Sequence, residues 1–574
     1  MKKFLASIAL AGLSLSLLSG CSVASNTASF LPGSKLTVGE SGPLVSLNSG
    51  LASVTASGIA AADIAQLTMP AFYTPDFTGR LSANTAFGSI QYNSGSIKFT
   101  LTGKAKWSDG IPVTPADLLL SYKAATAPAA VGFNSNLTST SLALTSTPVI
   151  AGNTLTLAHT APIADWQTML PITIAAHQVG KQAFSSKGYG SADAANAVQQ
   201  ALLGTSATDL SAVAAAYNSV GAVANGTNPA SFVTGGAYAI KSFNGNQVVL
   251  AANRGYLGPK ATIATVTIDC FGSTDELMSA ISAKKIDLAA PQATPGQTIT
   301  QMAATAKHAG FDVVTGDSGA NEVIVLNHAN QSSFSVSGAG GPKKSAAAQD
   351  AFFKFVPRAG IWNELLIDNS LNKTDSLVFS SSSKDYSAST SGNGSGSYQY
   401  QNGEAAAEEW AAAGYLRTIP VRVLFDSNNP RAQLEYSQLS QWGKVSGFTI
   451  QNVSSDNPAA VVSSGAWDAY ILDLPRIGTS LASLSTASGA LTSLSVPAIN
   501  AVVAKLAGKA TLDGQSAALA KLDQLLFSNY YGLPLFEVSK TVVRSKRLGS
   551  FTASSSASSV IWGYSNWVVS ASAK

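Results

Sequence analysis

The residue types most often used in catalysis and metal binding are few in this chain and poorly spaced for either task. No two of the four His residues have ligand spacing on one helix face: His159, His177, His308 and His328. The Gly-x-Ser-x-Gly sequence of α/β-hydrolases does not occur. These observations predict no metal site and no cofactor, and they are consistent with a binding protein rather than an enzyme.

One glycine-rich stretch, residues 338–345, superficially resembles a phosphate-binding loop. Its two lysines are not directly preceded by Gly, and Pro342 removes a backbone N–H donor. We interpret this stretch as a solvated loop. The adjacent Glu408 and Glu409 lie on a predicted helix, where neighbouring residues point in different directions. We interpret both as solvent-facing.

A strand-to-helix corner that starts at Trp107 is the most informative local pattern. Asp109-Gly110 is a turn pair, because Gly adopts the positive φ that other residues resist. Thr114 is a good N-cap, the proline after it suits the first helical position, and Asp117 completes an acidic variant of the capping box. The corner predicts a helix packed against a strand and contains no chemistry of its own.

The N-terminus indicates export. Two lysines precede an apolar run, residues 4–18, which is too short to span a bilayer comfortably and is typical of a signal-peptide core. The run ends in Leu18-Ser19-Gly20-Cys21, which resembles a bacterial lipobox. We therefore predict a lipoprotein signal peptide over residues 1–20, lipid attachment at Cys21, and a flexible tether over residues 21–34. The alternative is an ordinary signal peptide with an incidental Cys.

Length and composition narrow the class of protein. The 574 residues are too many for one core, so two or three domains are expected. The net charge of +4 is too small to indicate a nucleic-acid-binding protein. Only 11% of the residues are charged. Acylation of one of the two Cys residues would leave Cys270 without a partner. No disulfide is therefore expected, and Cys270 is interpreted as a core residue.

Several motifs along the chain occur in an order typical of one family. Besides the Trp107 corner they are Gly235-Gly236-Ala237-Tyr238, Asn253-Arg254-Gly255-Tyr256-Leu257-Gly258, Leu326-Asn327 and Ala413-Gly414-Tyr415. On these motifs the chain resembles the peptide/nickel-type (family 5) solute-binding proteins of bacterial ABC importers. Two positions depart from the family pattern, since Ala237 replaces the usual Pro and Leu257 replaces the usual Trp.

The resemblance implies the fold and its division into lobes. The expected fold is α/β and two-lobed, like a class II periplasmic binding protein, with an extra small subdomain in lobe one. Lobe one is expected over residues 35–263, including the inserted subdomain at about residues 45–185. Lobe two is expected over residues 264–532, and the chain returns to lobe one over residues 533–574.

The same resemblance implies a ligand site in the cleft between the lobes. The candidate ligand-binding residues combine aromatic and polar side chains: Glu40, Ser41, Tyr73, Trp467, Tyr470, Asp473 and Arg476. Peptide-binding members hold the peptide amine with an Asp some way after the strand that residues 467–472 resemble. Asp468 lies within that stretch and Asp473 directly follows it, so neither matches this spacing. A peptide remains the default ligand.

The expected function is that of a monomeric, lipid-anchored receptor on the extracytoplasmic face of the cell membrane. It would capture a peptide or small molecule and deliver it by hinge closure to the permease subunits of an ABC transporter. The alternative is a surface lipoprotein that keeps this fold for a structural or adhesive role.

Overall fold

The computed structural model describes residues 30–51, 60–76, 80–137, 142, 145–160, 163–223, 228, 231–291, 299–335, 341–365, 372–415, 417–489, 491–509, 512–549 and 559–570. The predicted signal peptide and Cys21 lie outside these residues. Strand β1 begins at Leu31, whose backbone N–H donates to the carbonyl of Thr262, so residues 31–34 of the predicted tether lie in this strand.

Seventeen strands are present among the described residues. They are β1 Leu31–Ser41, β2 Tyr73–Pro75, β3 Leu81–Ala83, β4 Gly88–Asn93, β5 Ser96–Leu101, β6 Val149–Ala151, β7 Thr154–Ala158, β8 Tyr238–Asn244, β9 Gln247–Ala252, β10 Ile263–Phe271, β11 Leu288–Ala289, β12 Asp312–Leu326, β13 Asn372–Lys373, β14 Ile419–Leu424, β15 Phe448–Asn452, β16 Ala469–Pro475 and β17 Gly532–Arg544.

The helices alternate with these strands along much of the chain. They are α1 Ala60–Thr68, α2 Pro115–Thr126, α3 Ala176–Ala183, α4 Ser191–Leu203, α5 Ala207–Ser219, α6 Thr274–Ser282, α7 Ile299–His308, α8 Gly341–Phe355, α9 Arg358–Leu365, α10 Tyr386–Thr390, α11 Gly403–Ala412, α12 Pro430–Gly443, α13 Pro458–Ser464, α14 Pro497–Ala507 and α15 Ser516–Ser528.

One large mixed sheet runs through both halves of the molecule, in the order β15-β14-β16-β12-β17-β11-β1-β10-β9-β8. At one end β14, β15 and β16 are parallel neighbours, and at the other end β1 is parallel to β10 and to β11. Because parallel strands need helical crossovers, this arrangement explains the alternation of helices and strands. The fold is the predicted α/β type.

Two large hydrophobic cores divide the chain into lobes. The first gathers residues from Leu36 to Leu288 together with the C-terminal residues from Val542 to Val569, and we refer to this part as lobe one. Apart from Ala164, the second core lies between Val323 and Phe536, and this part is lobe two. Since β10 and Leu288 belong to the first core, we propose that lobe one continues past the predicted boundary at residues 263/264.

The small subdomain of lobe one is a separate four-stranded antiparallel sheet, β4-β5-β7-β6. The Trp107 corner connects it to α2. Gly110 has φ +86°, and the backbone N–H of Thr114 donates to Oδ2 of Asp117 at 2.8 Å, as the capping box requires. Trp107 is buried, so this corner is a structural anchor of lobe one.

Two long neighbouring strands, β12 and β17, pass from one lobe to the other. The pairs from Asp312–Arg544 to Asp317–Ser539 lie beside β11 in lobe one, and the pairs from Asn321 onward continue into lobe two. Between Asp317 and Asn321 the register shifts, because β12 contains more residues there than β17. A bulge locally bends a strand. The strand pair therefore passes from lobe one to lobe two at this bulge.

Three further predictions come from local sequence patterns: Pro357 breaks or bends a helix over residues 350–362, residues 165–170 form a short helix, and the Ser- and Gly-rich residues 380–397 form a solvated loop. Pro357 separates α8 from α9, which confirms the predicted break in that helix. Residues 165–170 form turns, so the predicted short helix there is wrong. The predicted solvated loop at 380–397 is also wrong in part. It contains α10, and its Ser389 and Asn393 are buried because both donate to the carboxylate of Asp523 in α15.

Candidate functional site

A cleft of about 1860 Å³ separates the two lobes. On the lobe-one side it is lined by the end of β1, by α1, by β2 and by Tyr256 and Tyr564. On the lobe-two side it is lined by the loops that follow β14 and β15 and by β16. Ligand sites of open α/β sheets form at the carboxyl ends of parallel strands, and both the end of β1 and the loops after β14 and β15 are such positions.

The lobe-one wall is neutral and rich in aromatic side chains. Tyr73 lies on the short strand β2 and contacts Trp166 edge-on, with 5.9 Å between ring centroids. Ser41 ends β1, and its hydroxyl is buried without a hydrogen-bond partner. Tyrosine rings offer both apolar area and a polar tip. This wall can therefore hold a ligand by contact area and hydrogen bonding.

The lobe-two wall is acidic. Asp426 follows β14, Asp456 follows β15, and Asp473 lies within β16, where its side chain is 43% exposed. Asp426 and Ser455 form a parallel bridge, so the two loops lie side by side. Tyr470 also lies on β16 and contacts the ring of Trp467 edge-on at 5.9 Å. The wall can bind a cation by charge and by the face of an aromatic ring.

An ion-pair network holds Asp473 from behind. Nη2 of Arg431, in the first turn of α12, donates to both carboxylate oxygens of Asp473 at 2.9 and 3.1 Å. Nε of the same guanidinium donates to Oε2 of Glu322 on β12 at 2.6 Å, and Glu322 is fully buried. Glu435, one turn further along α12 and also buried, acts on the same guanidinium.

Burial sets the protonation of this network. It raises the pKa of Glu322 to about 7 even though Arg431 opposes the shift, and it raises the pKa of Glu435 well above its usual range. The pKa of Arg431 is raised, because the three surrounding carboxyls outweigh the burial that would lower it. The guanidinium therefore stays charged, and burial favours the neutral form of both glutamates.

Four of the seven predicted ligand-binding residues line the cleft in the structure: Ser41, Tyr73, Tyr470 and Asp473. Ser41 and Tyr73 lie on the lobe-one wall, and Tyr470 and Asp473 lie on the lobe-two wall, about 400 residues later in the chain. Their contact with a ligand stays a prediction.

The other three predicted residues, Glu40, Trp467 and Arg476, are buried away from the cleft surface. Trp467 is 1% exposed in the lobe-two core. Arg476 donates to both carboxylate oxygens of Asp317 at 2.7 and 2.8 Å and so connects β16 to the bulge in β12. Because this ion pair connects β16 to β12 where the chain passes between the lobes, Arg476 stabilises the junction between them.

Glu40 lies behind the lobe-one wall in a second cluster of buried carboxyls. Its side chain shares a hydrogen bond with Asp63 of α1, and Lys540 of β17 is the nearby cation. Burial raises the pKa of Glu40 well above its usual range and that of Asp63 to about 6, while burial lowers the pKa of Lys540. Cys270 of β10 faces the same cluster, and its thiol pKa is raised to about 12, chiefly by burial.

Sequence analysis missed three residues of the lobe-two wall and the network behind it: Asp426, Asp456 and Arg431. Asp426 and Asp456 could have been predicted, since each follows a predicted strand by a few residues and such positions often line ligand sites. Arg431 could not have been predicted from local sequence, because its partners Glu322 and Asp473 lie 109 and 42 residues away along the chain.

No described part of the chain brings together three or more His, Cys, Asp or Glu residues in a way that would hold a metal ion. His328, for example, is buried and contacts the carbonyl of Tyr530 and the amide of Gln349. Among the helices that the structure describes, none is long and apolar enough to cross a membrane.

Comparison with known proteins identifies the family. A model of the bacterial extracellular solute-binding proteins, family 5, matches residues 88–484, which is more than half of the chain. The chain belongs to this family. The prediction from the sequence motifs is thereby confirmed. No curated protein matches the chain.

Solved structures similar to this family 5 protein agree with the fold. The periplasmic EDTA-binding protein EppA has a TM-score of 0.64 at 16% identity, over 94% of this chain and 97% of its own. The oligopeptide-binding protein AppA from Bacillus subtilis, in complex with a nonapeptide, has a TM-score of 0.60 at 13% identity, over 94% and 99%. NikZ from Campylobacter jejuni, in complex with Ni(L-His), has a TM-score of 0.59 at 14% identity, over 94% and 100%.

Membership fixes the class of activity. Family 5 proteins are extracellular solute-binding proteins, so this chain is an extracytoplasmic binding protein and not an enzyme. At such low identities the similar structures establish the two-lobed fold and leave the ligand open.

Proposed function

We propose that this protein is a monomeric, lipid-anchored receptor that captures a solute in the interlobe cleft and delivers it to an ABC permease. The observation that supports this best is the cleft itself, which opens between two separate cores joined by β12 and β17 with a bulge at the junction. A ligand that touches both walls favours the closed arrangement, and the permease would recognise that arrangement.

We propose a peptide as the ligand, with a small molecule as the second choice. The cleft of about 1860 Å³ exceeds the roughly 300–1,000 Å³ of ordinary small-molecule pockets, which favours a ligand of several residues. Asn, Gln and Ser side chains on both walls, such as Gln167 and Asn429, suit the repeating N–H and C=O groups of a peptide backbone.

The lipid anchor would be the acylated thiol of Cys21, nine residues before Phe30. Phe30 lies under the guanidinium of Arg254 at 5.0 Å, next to the N-terminal end of β1. Metabolic labelling with a radioactive fatty acid tests the anchor, because Cys21→Ala should abolish incorporation and release the protein from membranes. Unchanged labelling of the variant would exclude this site.

The receptor role is tested by mass spectrometry of ligand retained by the purified protein, followed by titration of that ligand. Binding should change tryptophan fluorescence, because Trp166 contacts Tyr73 on the wall of the cleft. Trp166→Phe should reduce this change, whereas Trp410→Phe serves as the matched control, since Trp410 stacks on Tyr415 elsewhere in lobe two.

A second candidate is a surface lipoprotein with a structural or adhesive role. The low content of charged residues, 11%, favours it in part, because such a surface is less strongly hydrated than usual. No retained ligand, no fluorescence response to any peptide, sugar or metal chelate, and no permease genes adjacent to its own would together support this candidate over the receptor.

A further inference from the structure

The end of the lobe-one sheet that points away from lobe two is basic. Strands β1 and β11 are parallel and begin at this end, and β17, which is antiparallel to β11, finishes there. Helices α6 and α7 also end there, because they lead into the starts of β11 and β12. Seven cationic residues lie on these segments: Lys35, Lys284, Lys285, Lys307, Arg544, Lys546 and Arg547. We refer to them as the basic edge of lobe one.

Most of the charge on the basic edge is unmatched. The acids on the same segments are Asp312, which accepts from Nη2 of Arg544 at 2.6 Å, and Asp287, which lies 3.7 Å from Nε of Arg547. The five lysines are exposed, and within the described part of the chain none of them is in an ion pair. Two acids against seven cations leave a net charge of +5, whereas the whole chain carries only +4.

Backbone hydrogen bonds hold these cations side by side. The N–H of Asp287 donates to the carbonyl of Thr37 at 2.8 Å, and the N–H of Ser545 donates to the carbonyl of Asp287 at 2.6 Å. Neighbouring strands of a sheet are about 5 Å apart. These bonds therefore bring together the ends of β1, β11 and β17, next to which lie Lys35, Lys285 and Lys546.

One of the lysines occupies a position that disfavours it. Lys284 follows the C-cap of α6 with a φ of +56°, a left-handed conformation for which helix ends usually have Gly. A residue with a Cβ is strained at such a φ. The sequence therefore has a cation at this edge where glycine would fit the backbone better.

The N-terminus enters the fold at the same edge. Cys21 lies nine residues before Phe30, and residues 22–29 contain no charged side chain that could neutralise the lysines. Nine residues span at most about 30 Å, so a lipid on Cys21 keeps the basic edge within that distance of the bilayer. Two exposed apolar residues lie on this edge as well, Leu31 at the start of β1 and Val568, whose carbonyl accepts from the N–H of Gly549.

We propose that the basic edge of lobe one binds the anionic surface of the membrane to which the chain is anchored. This proposal rests on the membrane anchoring proposed above and adds a second contact to it. Lysines are attracted to anionic head groups, and apolar side chains such as Leu31 and Val568 enter the interface between head groups and acyl chains.

The same contact would orient the cleft. Ser41, at the other end of β1, lines the cleft about 20 Å from Lys35. The three aspartates of the lobe-two wall lie beyond it, and an anionic surface repels them while it attracts the basic edge. The bound molecule therefore directs its cleft away from the membrane, where solutes arrive.

Membrane binding is measured by sedimentation with vesicles. The protein is the mature chain with Cys21→Ser, so that no acyl chain contributes. Vesicles that contain an anionic phospholipid are compared with wholly zwitterionic vesicles. The protein should sediment only with the anionic vesicles at low salt, and about 500 mM salt should release it because the charges are then screened.

Two triple variants with the same change of charge locate the contact. Lys35→Gln, Lys285→Gln and Lys546→Gln together should weaken binding on the order of a hundredfold, since each lysine near an anionic surface contributes about fivefold. The control combines Lys444→Gln, Lys505→Gln and Lys521→Gln, which are exposed lysines of lobe two, and its affinity should be unchanged. An equal loss in both variants would show that net charge alone governs binding and would overturn the proposal.

The orientation is tested with an environment-sensitive fluorophore on a single introduced cysteine. Cys270 is buried and should stay unlabelled. Anionic vesicles should shift the emission of the label at Val568→Cys to shorter wavelength and leave the label at Val445→Cys, on the exposed surface of lobe two, unchanged. A shift at Val445→Cys alone would mean that lobe two faces the membrane, and the proposal would be wrong.

The outcomes separate this proposal from the receptor function. No binding to anionic vesicles, or tighter binding to soluble polyphosphate than to vesicles, would overturn the membrane contact. In the second case the basic edge would bind a soluble polyanion. Neither result affects the acylation of Cys21 or the retention of a ligand, which are measured separately. Binding of the Cys21→Ser chain to anionic vesicles supports the contact even if Cys21 proves not to be acylated.

Discussion

Each wall of the cleft has a cluster of buried carboxyls behind it. In lobe one, Glu40 and Asp63 are hydrogen-bonded to each other near Lys540. In lobe two, Glu322 and Glu435 flank Arg431. In both clusters the acids outnumber the basic residue, and burial raises the carboxyl pKa values. Only the second cluster reaches the cleft, because Arg431 also binds the partly exposed Asp473.

The two clusters therefore differ in what an unmatched negative charge can do. The lobe-one cluster is enclosed, so its excess negative charge can only lower the stability of the folded state. In the lobe-two cluster a charge on Asp473 meets solvent, which hydrates it. The variants below change one cluster at a time, so each tests whether the two clusters differ in this way.

The largest effect is expected from Arg431→Met. Removal of the guanidinium leaves Glu322 and Glu435 buried without a cation, and the loss of stability should be about 3 kcal/mol at pH 8. At pH 5 the loss should be smaller, because Glu322, whose pKa is raised to about 7, is then neutral. Urea unfolding at the two pH values measures this, with the exposed Arg417→Met as control. Equal losses at both pH values would show that the glutamates are not the cause.

Asp63→Asn should act in the opposite direction. The pKa of Asp63 is raised to about 6 in the folded state, above its unfolded value, so its contribution to stability is lost as the pH rises through 6. At pH 8 the variant should therefore be more stable, by an amount on the order of 2 kcal/mol. At pH 4 this gain should vanish. A destabilised variant at pH 8 would mean that the ionised carboxylate is well matched by Lys540.

Lys540→Met should have an intermediate effect. It removes the cation that acts on Glu40 and Asp63 and should lower stability at pH 8 by about 1 kcal/mol. In the background of Glu40→Gln and Asp63→Asn the same change should cost nothing, because no charge remains for the lysine to match. A double-mutant cycle measures the difference. Full additivity would show that Lys540 does not interact with this cluster.

The smallest effect concerns salt. Asp473→Asn removes the partly exposed partner of Arg431 and should lower stability at pH 8 by less than about 1 kcal/mol. This loss should shrink between about 50 and 500 mM salt, because salt screens a charge that solvent reaches. Asp63→Asn should change stability equally at both salt concentrations, since its cluster is enclosed. Urea unfolding measures both variants, and an equal salt dependence would show that the two clusters do not differ in exposure.

Local patterns in the sequence predicted the fold well. The capping box at Thr114 and the break at Pro357 depend on neighbouring residues alone, and the ordered motifs identified the family. Glu40 shows what a closer use of periodicity would add. Leu36, Val38 and Glu40 share one face of β1 and are buried, whereas Ser41 points to the cleft, as the two-residue period of a strand requires.

The charge network could not be predicted from local patterns. Arg431, Glu322 and Asp473 come from α12, β12 and β16, and their contact depends on the order in which the strands assemble in the sheet. The predicted loop at residues 380–397 fails for the same reason. The pattern predicts that Ser389 is solvated, yet Asp523 of α15, more than 100 residues later in the chain, accepts its hydrogen bond in the core.

Strand β12 also makes the protein convenient for amide hydrogen exchange. Its first residues are hydrogen-bonded to β17 in lobe one, and its last residues lie between β16 and β17 in lobe two. A single proteolytic peptide covering residues 312–326 therefore reports the local opening of both lobes. If the lobes unfold separately, deuterium uptake of this one peptide will show two protected groups of amides that exchange at different rates.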